Sequence, residues 1–292
     1  MNKKKVLLIG ASSQIGSSLL AEDQSSINFI EASRSDIDLT RLDQIEQFIK
    51  NNDPDIVINC AAFTNVDLAE EEPSLAATLN ELSVREIVKG CNSTKATLIH
   101  FSTDYVFNGE SSEPYSESSS TNPLSIYGKT KLSGDLSIVR ESNNFLIFRI
   151  SWIYGNHGSN FLKAIVKKIR SKEEFKVVAD QIGSPTSSKF VAQVLIHLIS
   201  KFELAEFKEI LNLQPRGSVS WFEFANFINN NIKPSDKLSK KLISAVSSED
   251  YNARAKRPKY SVLSTKKIEK LFDLKFLPWQ DYAVQEINDM EK

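Results

Sequence analysis

Three side chains in the middle of the chain could together reduce a carbonyl group. Tyr127 and Lys131 are four residues apart, so a helix through this segment places them on one face. A free phenol has a pKa near ~10, and an ammonium group beside it lowers that pKa toward the neutral range. Thr103 lies about one helical unit earlier in the chain, and its hydroxyl could hydrogen-bond a carbonyl oxygen. The three residues predict hydride transfer between a nicotinamide and a carbon–oxygen bond, with Tyr127 as the proton donor.

A glycine-containing turn near the N-terminus is typical of a site for dinucleotide phosphates. Residues 10–16 read GASSQIG, follow the apolar run 6–9 and open a helical pattern near 15–21. Glycine lets the backbone approach a pyrophosphate, whose charge then meets the amides at the helix N-terminus. We therefore predict cofactor contacts from this turn, by Gly10, Ser12, Ser13, Gln14, Ile15 and Gly16.

The end of the second predicted strand bears on which nicotinamide cofactor is used. An acidic residue there binds the ribose hydroxyls of NAD, whereas an arginine accommodates the 2′-phosphate of NADP. Arg34 favours NADPH, and Asp36, two positions further on, keeps NADH as an alternative.

Short apolar runs alternate with helical patterns through the first half of the chain. The runs predicted as strands are 6–9, 28–30, 56–58, 97–101 and 145–148. Strands joined by helices of this length predict an α/β fold, a doubly wound parallel sheet of the Rossmann type whose site lies at the carboxyl edge. Beyond residue 150 the alternation weakens, and helical patterns occur at 160–170, 189–199, 221–228 and 279–290. We predict a dinucleotide-binding domain over 1–150 and a smaller α/β substrate-binding domain mainly over 151–292, with some segments returning to the first.

Composition excludes several classes of protein. The 292 residues carry 36 basic and 37 acidic groups, and a net charge of −1 argues against a basic surface for nucleic acid. No apolar run approaches the ~18 residues of a membrane span, and the one behind the basic start is too short for a signal peptide. Two cysteines favour a reducing, cytoplasmic setting, and they and three histidines lack metal-ligand spacing. We predict a cytoplasmic protein with a small-molecule partner and no metal, nucleic acid or membrane.

Longer segments resemble the extended short-chain dehydrogenase/reductases, and among them the dTDP-4-dehydrorhamnose reductase family. The similarity runs nearly end to end and is carried by 55–67, 69–70, 102–107, 122–124, 127–128 with 131, 149–155, 180–186 and 257–263. The segments DQIGSPT at 180–186 and RPKYSVL at 257–263 are more specific than the phosphate turn, because they lie outside the generic cofactor domain.

The resemblance implies reduction of the 4-keto group of dTDP-4-dehydro-L-rhamnose to dTDP-L-rhamnose by NAD(P)H. It implies that Tyr127 is the general acid, Lys131 its partner and Thr103 the carbonyl donor. The further cofactor-binding residues that we predict are Arg34, Asp38, Leu39, Ala61, Ala62, Phe63 and Ser102. The substrate-binding residues are Val66, Asp67, Thr103, Asp104, Tyr105, Trp152 and Arg257, the last facing the nucleotide-sugar phosphates.

The sequence departs from the family pattern at two positions. Ser13 stands where the phosphate turn usually has glycine, and Ser264 stands where Asp or Asn is usual. Outside the pattern, we predict that His100, inside the fourth strand, is structural and that Trp221 is a packing residue.

Three alternatives stay open at this point. One is a non-catalytic subunit that senses the cofactor or a nucleotide sugar. Another is a reductase, dehydratase or epimerase of a different nucleotide sugar, although family dehydratases have Thr-Asp-Glu where this chain has Thr103, Asp104 and Tyr105. The third concerns assembly, because the sequence is compatible with a homodimer.

Overall fold

The central feature is a six-stranded parallel sheet. A computed structural model describes residues 3–22, 25–233, 236–237 and 242–292. The strands are β1 Lys4–Ile9, β2 Ile27–Ala32, β3 Ile56–Asn59, β4 Thr97–Thr103, β5 Phe145–Ile150, β6 Ile153–Tyr154, β7 Phe175–Val178, β8 Ile182–Gly183, β9 Thr186–Ser187, β10 Lys208–Asn212, β11 Val219–Ser220 and β12 Ile243–Val246. The main sheet has the order β10-β5-β4-β3-β1-β2 and every neighbouring pair is parallel. The predicted strands of the first half are confirmed.

Helices cover both faces of this sheet. The α-helices of the described residues are α1 Gln14–Ala21, α2 Leu42–Asn52, α3 Val66–Glu71, α4 Pro73–Ala77, α5 Ser83–Thr94, α6 Ile126–Glu141, α7 Phe161–Arg170, α8 Ser188–Lys201, α9 Trp221–Asn231, α10 Ser248–Tyr251, α11 Lys266–Leu271 and α12 Trp279–Met290. Helices α1, α8 and α11 pack on one face, and α2, α5 and α6 pack on the other. Both faces of β1 are therefore buried, Leu8 on one side and Leu7 on the other, as expected of a doubly wound sheet. The predicted fold class is confirmed.

After residue 150, β10 joins the main sheet and α8 and α11 pack on it. Helix α8 packs against α1, and β10 pairs with β5 from Lys208 beside Phe145 to Asn212 beside Arg149. The helical pattern at 189–199 is confirmed as α8. Strand β10 had no sequence prediction, because only Ile210 and Leu211 among its five residues are apolar.

The rest of the second half packs around its own core. Helices α7, α9 and α12 surround a two-stranded sheet of β7 and β12, and their side chains share one apolar cluster. Within it, Phe224 lies against both Tyr154 and Trp279. No helix in the described ranges is long and apolar enough to cross a bilayer.

Candidate active site

A cavity of about 690 Å³ opens at the carboxyl edge of the main sheet. Its wall includes the last residue of each of the first five strands, namely Ile9, Ala32, Asn59, Thr103 and Ile150. Doubly wound sheets bind ligands at this edge, and small-molecule sites commonly measure about 300–1,000 Å³. The cavity is therefore the candidate active site.

Most residues predicted to bind cofactor or substrate line this one cavity. The predicted residues in its wall are Gly10, Ser12, Ser13, Gln14, Ile15, Arg34, Asp38, Leu39, Ala61, Ala62, Val66, Ser102, Thr103, Asp104, Tyr105, Tyr127, Lys131 and Trp152. Four predicted residues lie outside the wall, namely Gly16, Phe63, Asp67 and Arg257.

The turn between β1 and α1 requires both of its glycines. Gly10 has φ +78°, and a Cβ there would lie 2.8 Å from the Ala61 nitrogen. A Cβ on Gly16 would lie 2.7 Å from the Ala11 oxygen, so this glycine lets the helix pack against the turn. Ser13 has extended backbone at φ −70°, and its hydroxyl accepts a hydrogen bond from the Gly16 nitrogen at 3.1 Å. Position 13 therefore does not require the backbone conformations that only glycine adopts easily, and the Ser13 side chain caps α1.

The turn after β2 places one cation and one carboxylate in the cavity wall. Arg34 and Asp38 both line it. Asp36 does not line it, and its carboxylate accepts hydrogen bonds from the nitrogen and hydroxyl of Ser33 at 2.8 and 2.6 Å. The Asp38 carboxylate accepts two from Thr40 at 2.9 and 2.8 Å, which lower its pKa. Arg34 is therefore the cation that a 2′-phosphate would meet at this wall.

The loop after β3 is held in place by hydrogen bonds to a buried asparagine. The Phe63 nitrogen donates to Asn80 Oδ1 at 2.9 Å, and Asn80 Nδ2 donates back to the Phe63 oxygen at 3.1 Å. Asn80 is fully buried in a π-helical turn, Thr78–Leu82. These bonds hold Phe63 outside the wall and leave Ala61 and Ala62 facing the cavity, where small side chains keep room for a flat ring.

Thr103 and Tyr127 meet where β4 ends and α6 begins. The Thr103 hydroxyl lies near enough to the Tyr127 phenol to lower the pKa of Tyr127, and it donates to Asp104 Oδ1 at 3.1 Å. Helix α6 approaches this turn closely because residue 128 is glycine. A Cβ at this position would collide with the Tyr105 carbonyl oxygen. The sequence pair Tyr127–Gly128 thus brings a phenol and a threonine hydroxyl to one point in the cavity.

The pKa of Tyr127 is raised in this arrangement. Burial and the charges of Asp104 and Asp135 raise the pKa of Tyr127, against the opposing effect of the nearby Thr103 hydroxyl. The Lys131 amino group lies 3.0 Å from His100 Nε2. In this arrangement burial outweighs any lowering of the Tyr127 pKa, and the acidifying role of Lys131 stays a prediction.

A buried polar layer lies between β4 and α6. His100 and Ser102 are two residues apart on β4, and Lys131 and Asp135 are four apart on α6, so each pair shares a face. The Ser102 hydroxyl donates to the Asp135 carboxylate, and His100 contacts Lys131. Each of the four side chains is at most 3% exposed. His100 is structural in the sense predicted, but it also touches a residue of the cavity wall.

The carboxyl group of Asp104 is buried away from solvent. It is 2% exposed, and its Oδ2 has no hydrogen-bond partner among the described residues. Burial raises the pKa of Asp104 to about 7, against the opposing effect of hydrogen bonds from Ser261 and Thr103. Near neutral pH this carboxyl group can therefore hold or release a proton beside Thr103.

Two tryptophans form one wall of the cavity. Trp152 and Trp221 stack with ring centroids 3.5 Å apart and planes 8° apart. Gly183 lies under Trp152, and a Cβ there would be 2.7 Å from the indole nitrogen. Trp221 was predicted to be a packing residue, and that prediction is incomplete because it also lines the cavity. The pair gives a flat apolar surface of the kind on which a sugar ring packs.

Two predicted substrate residues bind each other. The Arg257 guanidinium donates to both Asp67 oxygens, at 2.7 and 3.2 Å, and this lowers the pKa of Asp67. Ser264, the second departure from the family pattern, makes backbone hydrogen bonds with Tyr115 and Asn212 and lies outside the wall.

Several wall residues had no sequence prediction. They include Asn59, Cys60, Thr64, Leu79, Ser159 and Asn160. Asn160 Nδ2 donates to Gln14 Oε1 at 3.0 Å and so joins α7 to the phosphate turn. Asn59 could have been found from the sequence, because it is a polar residue at the end of an apolar strand. Asn160 gave no such signal, because its partner Gln14 is 146 residues away in the chain. Within the described part of the chain, no cluster of three or more His, Cys, Asp or Glu could hold a metal ion.

The whole described chain matches one family and its relatives. The model of the RmlD substrate binding domain family matches residues 4–292. A dTDP-4-dehydrorhamnose reductase of Aggregatibacter actinomycetemcomitans is 34% identical over 94% of this chain and 96% of its own. The spore coat polysaccharide biosynthesis protein SpsK of Bacillus subtilis is 35% identical over 91% and 90%. The crystal structure of dTDP-4-dehydrorhamnose reductase from Bacillus anthracis in complex with NADP superimposes with a TM-score of 0.92, at 32% identity over 98% and 99%. With this fold, this cavity and these relatives, the chain belongs to the RmlD substrate binding domain family.

Proposed function

We propose that this protein reduces the 4-keto group of dTDP-4-dehydro-L-rhamnose to dTDP-L-rhamnose, with NADPH as hydride donor and NADH as an alternative. The observation that carries the proposal is the placement of Tyr127 and Thr103 side by side in the cavity wall at the carboxyl edge of the sheet. Relatives named for this reaction match nearly the whole chain, and one of them was crystallised with NADP.

The residues present fit a nicotinamide dinucleotide. Gly10 leaves space that a Cβ would fill, and the amides at the start of α1 suit a pyrophosphate. Arg34 suits a 2′-phosphate, and Asp38 suits the ribose hydroxyls of the alternative cofactor. When bound, the reduced nicotinamide supplies the hydride.

Side chains of the protein would polarise the keto group and supply the proton. The Thr103 hydroxyl, which donates to Asp104 in this structure, would turn to the keto oxygen and polarise it. Tyr127 would give its phenolic proton to the same oxygen, and Lys131 would hold the ribose hydroxyls of the nicotinamide. Tyr105, whose ring lies edge-on 5.7 Å from that of Tyr127, would limit the depth to which the sugar enters.

The substrate is proposed to lie between the two halves of the chain. Trp152 and Val66 would contact the sugar, and Arg257 with Asp67 would lie at the diphosphate. In this division 1–150 binds the cofactor and 151–292 mainly binds the substrate. The return of α8 and β10 to the main sheet agrees with such an arrangement.

Compartment and assembly are part of the proposal. Both cysteines, Cys60 and Cys91, are free thiols, which suits a reducing cytoplasm. A homodimer stays a prediction. Leu136 and Val139 on α6 are 56% and 46% exposed and give this helix an apolar outer surface. Sedimentation of the purified protein would measure its oligomeric state.

The decisive experiment offers the purified protein dTDP-4-keto-6-deoxyhexose after 3,5-epimerisation, with NADPH or NADH. We expect net oxidation of the cofactor and a product of the L-rhamno configuration. Cofactor binding without consumption would instead indicate a sensing subunit. Conversion of the sugar without net cofactor oxidation would indicate an epimerase or dehydratase, which returns its hydride.

A further inference from the structure

Trp152 has a backbone conformation that is rare for a large side chain. Its φ is +47°, in the left-handed region that glycine adopts most easily. Strain of this kind persists only where the surrounding structure holds the residue in place, and it is concentrated at functional sites. Trp152 lies between β5 and β6 and lines the cavity. The groups that hold its backbone and indole in place therefore also shape the candidate active site.

Both faces of the Trp152 indole are covered. Trp221 stacks on one face, with ring centroids 3.5 Å apart. A Cβ on Gly183 would lie 2.5 Å from Trp152 Cε2 and 2.7 Å from both Cζ2 and Nε1. Because Cε2 is bonded to the other two atoms and is the nearest of the three, Gly183 lies over the ring and not beside its edge. It must lie on the face opposite Trp221, since the two would otherwise occupy the same space. Trp152 therefore presents an edge of its indole to the cavity.

One small sheet positions both of the covering residues. Gly183 ends β8, Trp221 directly follows β11, and these two strands pair antiparallel. Trp221 is the first residue of α9, and a capping box formed by Ser220 and Glu223 fixes the start of this helix. Phe161 also packs on Trp221, with ring centroids 4.5 Å apart. The position of Trp221 relative to Gly183 is therefore set by the fold.

We propose that Trp221 is a positioning residue for the sugar, which holds Trp152 against Gly183 in its left-handed conformation. The proposal deepens the proposed function, on which the presence of a sugar beside Trp152 rests. The edge of the indole would then be a fixed boundary for the sugar ring, and would keep the keto group beside Tyr127. Without Trp221, Trp152 would relax to an ordinary backbone conformation and its indole would leave the wall.

The first test follows the backbone of Trp152 without any substrate. The Thr186 amide donates to the Trp152 oxygen at 3.2 Å, and a change in the Trp152 backbone would break this bond. Hydrogen exchange of the Thr186 amide therefore reports the conformation of residue 152. In Trp221→Ala we expect this amide to exchange about tenfold faster or more, relative to the Ala179 amide. Ala179 is a suitable reference because its bond with Val246 lies elsewhere in the same half of the chain.

Matched variants separate the stack from general stability. Trp221→Phe keeps an aromatic ring at this position and should retain slow exchange at Thr186. Trp279→Phe removes an indole from the same apolar cluster, where it packs against Phe224, and should also leave the exchange slow. If Trp221→Ala does not fold, Trp221→Leu replaces it, because leucine keeps apolar volume without a ring that can stack. An unchanged Thr186 rate in the variant without a ring would overturn the proposal, whether or not the protein reduces a sugar.

A double-mutant cycle tests whether Trp221 acts through Trp152. Trp221→Leu should raise KM for dTDP-4-dehydro-L-rhamnose about tenfold, with a smaller change in kcat and in the Kd of NADPH. In a Trp152→Leu background the same substitution should have little further effect, because no indole remains to be held. Effects of the two substitutions that multiply would overturn the proposal, since Trp221 would then act on the sugar by itself. A protein without reductase activity would contradict the proposed function, and the Thr186 exchange rate would then decide the role of Trp221 alone.

Discussion

Arg257 and Asp67 form a two-bond ion pair that joins segments 190 residues apart in the chain. The guanidinium side chain is 20% exposed, and one of its bonds measures 2.7 Å. An arginine that is already oriented in this way can present its remaining N–H groups to a diphosphate at little cost in side-chain entropy. The pair therefore connects the second half of the chain to α3 at the place where we propose that the nucleotide lies.

Arg257→Met should weaken nucleotide-sugar binding while leaving NADPH binding unchanged. A hydrogen bond to a charged group contributes about 1.5–3 kcal/mol, so KM for the sugar should rise about tenfold to a hundredfold. Steady-state kinetics with each substrate varied in turn measures this. Arg216→Met is the matched control, because Arg216 forms an exposed ion pair with Glu269 and makes no bond with Asp67. An equal effect of both variants would contradict a phosphate role.

Tyr127→Phe should abolish most turnover and preserve cofactor affinity. Loss of a positioned proton donor costs about 10²–10⁴ in rate. Single-turnover rates and the Kd of NADPH, measured on the same preparation, separate the two quantities. Tyr251→Phe, at a residue that is 57% exposed, controls for loss of a phenol elsewhere. Turnover that survives in Tyr127→Phe would contradict the assigned proton donor.

Arg34→Ala should discriminate between the two cofactors. The guanidinium lines the cavity where a 2′-phosphate would lie, so kcat/KM for NADPH should fall about tenfold or more while that for NADH changes little. Arg41→Ala removes a nearby cation that lies outside the wall and should spare both cofactors. Equal losses with NADPH and NADH would show that Arg34 does not recognise the phosphate.

Ser13→Ala should destabilise the native state through the start of α1. It removes the acceptor of the Gly16 nitrogen, and loss of such a cap costs about 1 kcal/mol, whereas glycine at the same position costs only a few tenths. Urea unfolding of Ser13→Ala and Ser13→Gly measures both free energies. If Ser13→Gly, the residue usual in the family, proved the less stable of the two, the capping role would be wrong.

Asp104 should make the native state less stable as the pH rises. Its pKa is 3.8 ordinarily and about 7 in the fold, so between these values the folded carboxyl keeps a proton that the unfolded one has lost. Stability falls through that window and is level above it, by about 4 kcal/mol at most, at 1.36 kcal/mol per pKa unit. The free energy of unfolding of the wild type minus that of Asp104→Asn, measured by urea titration at several pH values, should show this decline.

Asp36→Asn provides a control of opposite sign. Hydrogen bonds from Ser33 lower the pKa of this exposed carboxyl, so the stability it contributes is present above its ordinary pKa and is lost as the pH falls through the folded value. A difference for Asp104→Asn that stays constant through the window would contradict the buried position described for its carboxyl group.

Much of the fold could be predicted from local patterns in the sequence. Apolar runs predicted the strands of the first half, and glycines at residues 10 and 16 predicted the phosphate turn, because both depend on residues adjacent in the chain. The four-residue spacing of Tyr127 and Lys131 belongs to the same class, whereas the cap that Ser13 provides for α1 was found only in the structure. In each case the physical requirement lies within one or two turns of helix or one strand.

Contacts between segments that are distant in the chain could not be predicted from local sequence patterns. The sequence by itself determined a doubly wound sheet with a hydroxyl, a phenol and an amine near its carboxyl edge. Only the tertiary structure decided that Lys131 packs against His100, that Arg257 pairs with Asp67 and that Trp221 supports Trp152. The reason is physical: burial and charge pairing depend on which side chains meet when β4, α6 and the second half of the chain pack, and residue spacing along the chain does not specify those meetings.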